Sequence, residues 1–469
     1  MPWRNVLRVF EGVGVMERDY DVTVIGSGIG GLCAGALLAK RGYRTLLVES
    51  LDRWGGRLST VEKDGYKLPT GAILLHRDGP LENIYREVGA DFEVVNLPKT
   101  LHCRIEGKDY QMKLNNPLTL LKVISDLEIS GGKLARLGGS LAAEIGKKKI
   151  QQTLGKGTKN PFARGARLNF REWLMQYTDN EVLHKIFDAI IVAVLVCHSW
   201  ELPASEFFSY MTALGALADA GIAPRGNVEL IQGLVEAIKE NGDAWLSSPV
   251  RQIMVRKGEA QGIVVEKEGR DVTVISKVVI SDTGPKRTVD LAGSDNFSRK
   301  YLREIRMRLR AGPAMLVLAA SDAPLLPENA HFMVISGARR LVCAGDIALL
   351  CPDLAPRGKH LSYYCGYPLN SLVPMEVEWE KTQCQRDLEE HFPDITKHGE
   401  ILHMGVHDVD SDFPGARAWP GYDMPPETSI KNLYNIGEGV RATGWSGTNK
   451  AATTAREVAD MVAKTLDRC

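Results

Sequence analysis

The residues best suited to binding chemistry form a glycine-rich turn near the N-terminus. Residues 22–25 are a short apolar run of β-formers, and Gly26, Gly28 and Gly30 follow in a GxGxxG pattern. In such a turn the first glycine permits a tight bend, the second admits a pyrophosphate, and the third lets a helix pack on the strand. The free N–H groups at the start of that helix attract phosphate. The pattern predicts a dinucleotide-binding βαβ unit, and the alternative is a purely structural turn.

An acid stands where such a unit requires one. Residues 45–48 form the second predicted strand, and Glu49 follows directly. A carboxylate there accepts hydrogen bonds from both hydroxyls of an adenosine ribose and repels a 2′-phosphate. Strand, helix and acid at the correct spacing are much more specific than the glycines alone. FAD and NAD both fit this unit.

A second glycine turn follows in the segment SLDRWGGRLST. Gly55 and Gly56 permit another close approach of the backbone to a ligand, and Arg57 offers a fork of donors for a pyrophosphate. Taken alone, these residues are better explained as a glycine turn followed by a surface arginine.

The C-terminal segment repeats the combination of strand, acidic turn and helix. Residues 433–436 are a predicted strand, residues 437–439 read Gly-Glu-Gly, and an Ala-rich helix follows a second turn at residues 444–447. A helix N-terminus beside such a turn suits a phosphorylated or polar ligand. The alternative is a last strand and helix that merely close a domain.

These motifs together resemble the flavin amine oxidase and phytoene desaturase superfamily. GSGIGG with Glu49, the GGR turn, and the terminal IGEG and GWSG carry the resemblance, and DGYKLPTGAILLHRDGPLENIYREVGA brings the chain closest to the carotenoid (phytoene) desaturase-like branch. Residues 223–285 are similar to that superfamily's Pro-x-Gly-Gly helix, βββ segment and return strand, with Asn227 in place of the second glycine. The resemblance implies an α/β fold, in which a Rossmann-like FAD-binding domain with a central parallel sheet is interleaved with a mixed α+β substrate domain.

The resemblance also implies domain boundaries. Residues 17–75, 220–290 and 428–469 would form the FAD-binding domain, while residues 76–219 and 291–427 would form the substrate domain. Residues 1–16 would be an N-terminal tail, and either Met1 or Met16 is the native start.

A role at the cofactor is implied for each matching position. The glycines of the first turn, together with Gly56 and Arg57, would line the FAD pyrophosphate, Glu49 would bind the adenosine ribose, and the Val250 backbone would meet the adenine. Glu438 replaces the commoner aspartate near the pyrophosphate and ribityl chain, and residues 444–446 would lie near the flavin ring. The full set of expected cofactor-binding residues is Gly26, Gly28, Gly30, Gly31, Glu49, Gly56, Arg57, Val250, Gly437, Glu438, Gly444, Trp445 and Ser446.

The resemblance favours removal of a hydride from a C–H bond, which creates a C=C bond in an apolar, isoprenoid- or carotenoid-like substrate. The flavin carries the chemistry, and the protein supplies orientation and an apolar tunnel. The sequence does not identify the electron acceptor, for which oxygen and a quinone are the candidates. No catalytic acid or base can be assigned. His76 and Asp78 are candidates, although a structural turn explains both better.

Three alternatives remain open. The first is an amine oxidase, which usually has an aromatic residue after the terminal Trp-Ser-Gly, whereas this chain has Thr448 there. The tyrosines at positions 363, 364 and 367 could form an aromatic wall instead, or they simply pack in a strand. A prenyl-group carrier of the same fold would have no need of Glu49. A carotene isomerase would retain the flavin without net redox change. A flavin-dependent disulfide reductase is disfavoured because the chain has no second GxGxxG unit and no CxxxxC pair.

Composition narrows the class of protein. The 469 residues are 44% apolar and 25% charged with zero net charge, which gives no argument for a nucleic-acid partner. Eight scattered cysteines without a CxxC predict reduced thiols in a cytoplasmic protein rather than a disulfide framework. Two histidines, His403 and His407, have the i, i+4 spacing of a metal site, but ILHMGVHDV reads as a strand, so no metal is expected.

A basic stretch beside an apolar helix predicts a peripheral membrane contact through residues 118–167. From residue 133 to 167 nine basic residues face one acid, Glu144, and Leu118, Leu121 and Ile124 precede them near one helical face. Such a segment suits an anionic membrane surface and a lipidic substrate. The favoured alternative is a solvated surface segment.

Overall fold

The computed structural model describes residues 18–113, 123, 125–126, 131–153, 168–213, 220–327, 330–411 and 413–467. The strands in chain order are β1 Arg18–Ile25, β2 Thr45–Val48, β3 Thr60–Lys63, β4 Tyr66–Pro69, β5 Leu75–His76, β6 Val95–Asn96, β7 Thr100–Ile105, β8 Lys108–Lys113, β9 Ala220–Ile222, β10 Gly242–Trp245, β11 Val250–Arg256, β12 Glu259–Lys267, β13 Arg270–Ser281, β14 Ala314–Ser321, β15 Met333–Ser336, β16 Leu341–Asp346, β17 His360–Gly366, β18 Gly399–His407 and β19 Leu433–Asn435. The helices are α1 Ile29–Lys40, α2 Pro80–Val88, α3 Gly131–Thr153, α4 Phe170–Met175, α5 Glu181–Leu195, α6 Ala204–Ala213, α7 Asn227–Lys239, α8 Pro285–Ala292, α9 Arg299–Arg308, α10 Val377–His391, α11 Asp394–His398 and α12 Gly447–Leu466. The predicted α/β class is confirmed.

The first sheet has the glycine-turn unit at its centre. Its strand order is β10–β2–β1–β13–β12–β11, with β19 beside the C-terminal end of β13. The pairs β10–β2, β2–β1, β1–β13 and β13–β19 are parallel, whereas β11 and β12 extend the sheet antiparallel. Every residue of β2 is buried, as expected for a parallel strand covered on both faces. The carboxyl ends of β1, β2 and β13 therefore meet at the edge where the glycine turn lies, which is where ligands bind in such sheets.

Helices cover both faces of the first sheet. On one face α1, α2, α7 and α12 share an apolar core that includes Leu37, Ile238 and Val458. A Cβ on Gly35 would lie only 2.9 Å from Ile238 Cδ1, so α1 and α7 pack at close range. On the other face α8 and α9 pack on the sheet, for example through Ile305. Helix α9 packs on the first sheet, although it lies within residues 291–427, which are predicted to form the substrate domain. The domain boundaries therefore stay a prediction.

The second sheet follows the order β18–β14–β17–β16–β15–β7–β8. Neighbouring strands are antiparallel except β15 and β7. The sequence also predicts short strands at residues 314–318 and 362–366, and these lie within β14 and β17. One face packs against α5 through residues such as Ala189, and the other packs against α10 and α11 through Leu388 and Ile395.

An aromatic cluster holds the helices near α5 together. The Phe170 ring centroid lies 4.1 Å from that of Phe207 and 5.6 Å from that of Trp173. Leu137 of α3 and Leu195 of α5 belong to the same buried cluster. The end of α5 is thereby fixed beside the N-terminus of α12, where the Ser446 hydroxyl donates to the Val194 carbonyl at 3.2 Å.

Some sequence predictions fall outside the described residues. The N-terminal tail and Met16 lie there, and the basic stretch 118–167 is described only at residues 123, 125–126 and 131–153. Within the described parts of the chain, no helix has both the length and the apolar character needed to cross a membrane.

Candidate functional site

The glycine turn forms a cradle between β1 and α1. Gly26 has φ +93°, which disfavours any residue with a side chain. A Cβ on Gly31 would lie 2.0 Å from the Gly26 carbonyl oxygen, and one on Gly30 would lie 3.2 Å from Gly437 Cα. Glycine is therefore required here by close backbone approach. The first turn of α1 contains no acidic residue of its own, but its Gly31 N–H already donates to the Asp282 carboxylate at 2.9 Å.

Glu49 stands at the carboxyl end of β2 and is fixed by donors around it. Its Oε2 accepts from the Ser27 backbone N–H at 2.8 Å and from the Ser27 hydroxyl at 2.6 Å. Its Oε1 accepts from the Leu51 N–H at 2.9 Å. The side chain is buried but lines the cavity at the sheet edge. A carboxylate held in this way can accept a further hydrogen bond from a ligand hydroxyl.

The second glycine turn lies against the first, with Gly28 and Gly55 in a parallel bridge. From this turn Arg57 reaches Glu438, whose Oε2 lies 2.8 Å from Arg57 Nη1. The same guanidinium donates to the carbonyls of Pro414 and Gly415 at 3.1 and 3.0 Å. Two residues that the sequence predicts independently thus form one ion pair beside the cradle.

Most of the predicted cofactor residues converge on one cavity of about 790 Å³. The predicted residues that line it are Gly26, Gly28, Gly30, Glu49, Gly56, Arg57, Val250, Gly437, Glu438 and Ser446. Gly31, Gly444 and Trp445 are not among its lining residues. The Gly31 N–H donates to Asp282 Oδ2 at 2.9 Å. The Trp445 N–H donates to the Ala442 carbonyl at 3.2 Å, which closes the turn before α12.

Sequence reasoning missed Asp282, the residue that follows β13. Its Oδ2 accepts from the Gly31 N–H at 2.9 Å, and Cβ atoms built on Gly28 and Gly437 would lie 2.4 and 2.2 Å from its carboxylate oxygens. The Asp282 carboxylate therefore lies in the glycine cradle itself. Burial raises its pKa to about 6, despite the Gly31 hydrogen bond and the charges of Arg417 and Arg57. The segment SDTGP after the predicted return strand was the available signal.

One part of the cavity is apolar and is built from residues 76–219 and 291–427, the two segments predicted to form the substrate domain. Residues of α5, β14 and β16, together with Phe332 just before β15, form its wall: Val192, Ala193, Val194, Met315, Leu316, Phe332 and Val342. Tyr363 and Tyr367 also line it, whereas Tyr364 points to the other face of the sheet and packs on Phe392. The aromatic wall considered from the sequence is therefore present at two of its three positions.

Several polar side chains also line the cavity. His76 and Thr448 line the cavity. His407 does as well, with Nδ1 donating to the Phe413 carbonyl at 2.9 Å; burial lowers its pKa, which favours the neutral ring. Asp78 is not a lining residue; it has φ +54°, and its N–H donates to Glu82 Oε2 at 2.6 Å, as in a turn. His403 and His407 lie on β18, and the described residues contain no cluster of three metal-ligating side chains.

A glycine cradle, a buried carboxylate at the end of β2 and an adjoining apolar chamber suit a dinucleotide whose second half is a flat redox ring. A family model described as flavin containing amine oxidoreductase matches residues 29–463. The chain belongs to this family. Its cofactor is FAD, and it is an FAD-dependent oxidoreductase of the amine oxidase and desaturase superfamily.

Three curated proteins are similar to this chain, and their names do not agree on one substrate. An uncharacterized protein of Methanocaldococcus jannaschii is 22% identical over 431 residues, which is 90% of this chain and 94% of the relative. Human all-trans-retinol 13,14-reductase is 26% identical over 318 residues, or 60% of this chain and 50% of the relative. The neurosporene-forming phytoene desaturase of Rhodobacter capsulatus is 37% identical over 70 residues, which is 15% of this chain and 13% of that enzyme.

Two solved structures share the fold of this chain. An oxidoreductase from Methanosarcina mazei has a TM-score of 0.78 at 24% identity, covering 95% of this chain and all of that one. Putrescine oxidase bound to putrescine has a TM-score of 0.71 at 16% identity, covering 96% of this chain and 100% of that one. At these identities the likeness supports the fold alone.

Proposed function

We propose that the protein removes a hydride from an apolar, isoprenoid-like substrate and so introduces a C=C bond. The observation that carries the proposal is the shape and lining of the cavity, which runs from the glycine cradle into a chamber walled by Val194, Leu316 and Phe332. Such walls bury hydrocarbon favourably and exclude water from the reacting bond.

The cofactor-binding roles belong to the same proposal. The cradle and Arg57 would hold the FAD pyrophosphate, Glu49 the adenosine ribose, and the backbone at Val250 the adenine. Glu438 would orient Arg57 through their 2.8 Å ion pair. Ser446, at the N-terminus of α12, would lie near the flavin ring, where the helix dipole favours negative charge.

Two relatives support an isoprenoid substrate through their names, since both retinol and phytoene are isoprenoids. One of those names describes a reductase and the other a desaturase, so the direction of electron flow rests on the resemblance to the desaturase branch. When bound, the flavin supplies a two-electron acceptor. The chain's own contribution is to orient the substrate and exclude water, and the oxygen or quinone that takes the electrons onward remains part of the proposal.

The test is anaerobic mixing of the holoprotein with separate pools of isoprenoid lipids and of amines. Loss of visible flavin absorbance with the isoprenoid pool, and a product two hydrogens lighter by mass spectrometry, is the expected result. An isomerised product of unchanged mass would indicate an isomerase instead. Bleaching by amines alone would overturn the proposal.

Amine oxidation is the second candidate, and the wall residues Tyr363 and Tyr367 favour it. Two aromatic faces can guide an amine toward a flavin, although Thr448 offers no such face at the position after Trp-Ser-Gly. If amines are oxidised, Tyr363→Leu lowers that rate at least tenfold, whereas Tyr364→Phe, on the opposite face of the sheet, leaves it unchanged.

A further inference from the structure

Two cysteines stand opposite each other in the wall of the cavity. Cys343 on β16 pairs directly across the antiparallel ladder with Cys365 on β17. Side chains at directly opposed positions project to the same face, with Cβ atoms about 5 Å apart. Both thiols belong to the apolar cluster on the α5 side of the sheet, and both residues line the cavity.

The two thiols differ in their surroundings. Cys343 is 4% exposed, whereas Cys365 is half-buried. The hydrogen bond with Cys365, together with burial, raises the pKa of the Cys343 thiol well above its usual range. Cys365 is therefore the more accessible of the two sulfurs to a molecule in the cavity.

This arrangement is specific to one pair among the described residues. Cys384 lies near this region, since its Sγ would be 3.6 Å from a Cβ on Gly366, yet it belongs to the cluster on the opposite face of the sheet. The other described cysteines are each buried, and none is paired with a second cysteine across a ladder. The proposed hydride chemistry uses neither Cys343 nor Cys365.

We propose that Cys343 and Cys365 form a redox-active dithiol site in the cavity wall, which reacts with a small organic disulfide and closes to a reversible cross-strand disulfide. The Cys365 thiolate attacks one sulfur of the organic disulfide, forming a mixed disulfide and releasing one thiol. The Cys343 sulfur then attacks Cys365, forming the Cys343–Cys365 bond and releasing the second thiol. Two protein thiols are oxidised, one organic disulfide is reduced, and the two protons leave on the released thiols.

The test treats the native holoprotein with 2-hydroxyethyl disulfide, blocks the remaining thiols with iodoacetamide, and maps peptides without reduction by mass spectrometry. The wild type should yield a linked Cys343–Cys365 pair, two hydrogens lighter than the dithiol, which dithiothreitol reverses. Cys343→Ser should retain a stable mixed disulfide at Cys365, because the second sulfur is missing. Cys365→Ser should leave Cys343 free and alkylatable only after unfolding.

Cys384→Ala is the matched control and should behave as the wild type does. Circular dichroism and flavin content confirm that each variant is folded. The proposal is overturned if the native wild type keeps both thiols free, or if linkage appears only in denaturant. A mixed disulfide at Cys365 that persists in the wild type also contradicts it, since Cys343 would then fail to resolve it.

Discussion

At the scale of single residues, the candidate site is a small set of carboxylates and guanidinium groups around the cradle. Glu49, Arg57 and Glu438 could be predicted because their types and spacing match a known binding pattern. Their pairing could not, since Arg57 and Glu438 are 381 positions apart and meet only through the tertiary structure. Asp282 was missed because its burial depends on the register of β13 beside β1.

Glu49→Gln should weaken FAD binding by about 10- to 100-fold, because a charged acceptor for the ribose hydroxyls contributes roughly 1.5–3 kcal/mol. Titration of the apoprotein with FAD, followed by quenching of flavin fluorescence, measures the dissociation constant. Glu62→Gln, an exposed position on β3, is the control and should change nothing. An unchanged dissociation constant for Glu49→Gln would show that Glu49 does not bind the ribose.

Asp282 should make FAD binding depend on pH. Its folded-state pKa of about 6 lies above the unfolded value of 3.8, so the folded apoprotein holds the proton more tightly. The stability that this proton contributes is complete below pH 3.8 and is lost as the pH rises through about 6. The ionised carboxylate also repels a pyrophosphate in the cradle, so FAD affinity should fall across the same rise.

The matched pair Asp282→Asn and Asp290→Asn tests this dependence, since both acids line the cavity. The Tm of the apoprotein and the FAD dissociation constant are measured from about pH 5 to pH 8. Both should become independent of pH in Asp282→Asn and should still change with pH in Asp290→Asn. Equal slopes in both variants would show that another group titrates.

At the scale of elements, the βαβ unit and the terminal helix were predictable because their glycines and apolar runs are local signals. The strands β14 and β17 were predictable for the same reason. Which faces of those strands line the cavity was not, because it depends on ladder register: Tyr363 faces the cavity and Tyr364, one residue later, faces away. The packing of α9 on the first sheet could not be predicted either, because no local sequence pattern shows which of the two sheets a helix packs against.

Gly31→Ala tests the close approach at the start of α1. The added Cβ would lie 2.0 Å from the Gly26 carbonyl, so the turn must shift, at a cost of about 1–3 kcal/mol or more. Urea denaturation should show this loss, together with loss of bound FAD. Gly138→Ala on α3, where a Cβ meets nothing within 4 Å, should leave stability equal or slightly higher. Equal stability of both variants would contradict the close approach of Gly31 to the Gly26 carbonyl.

At the scale of the whole molecule, one cavity joins segments from the whole length of the chain. The glycine cradle comes from residues near both ends, while α5 and the second sheet supply the apolar chamber. The alternation of FAD-binding and substrate segments along the chain was predicted from the family resemblance. Net charge and apolar content describe the chain as a whole and could not predict it.

The exposed face of α3 should attract an anionic membrane surface if the substrate is a lipid. Lys147 is exposed beside Ile150, whose side chain is 61% exposed. The double variant Lys147→Gln/Lys149→Gln should reduce co-sedimentation with vesicles containing anionic lipid at low salt, since each lysine contributes about 1 kcal/mol near such a surface. Lys300→Gln/Lys397→Gln is the control. Absence of wild-type binding at low salt would end this idea.

The most direct measurement of the central claim is the visible absorption spectrum of the purified protein with its FAD content per chain. One FAD per chain, released on denaturation and restored by adding FAD to apoprotein, is the predicted result, with weaker retention in Glu49→Gln. A colourless protein that cannot be reconstituted with FAD would contradict the account and favour a carrier of prenyl groups.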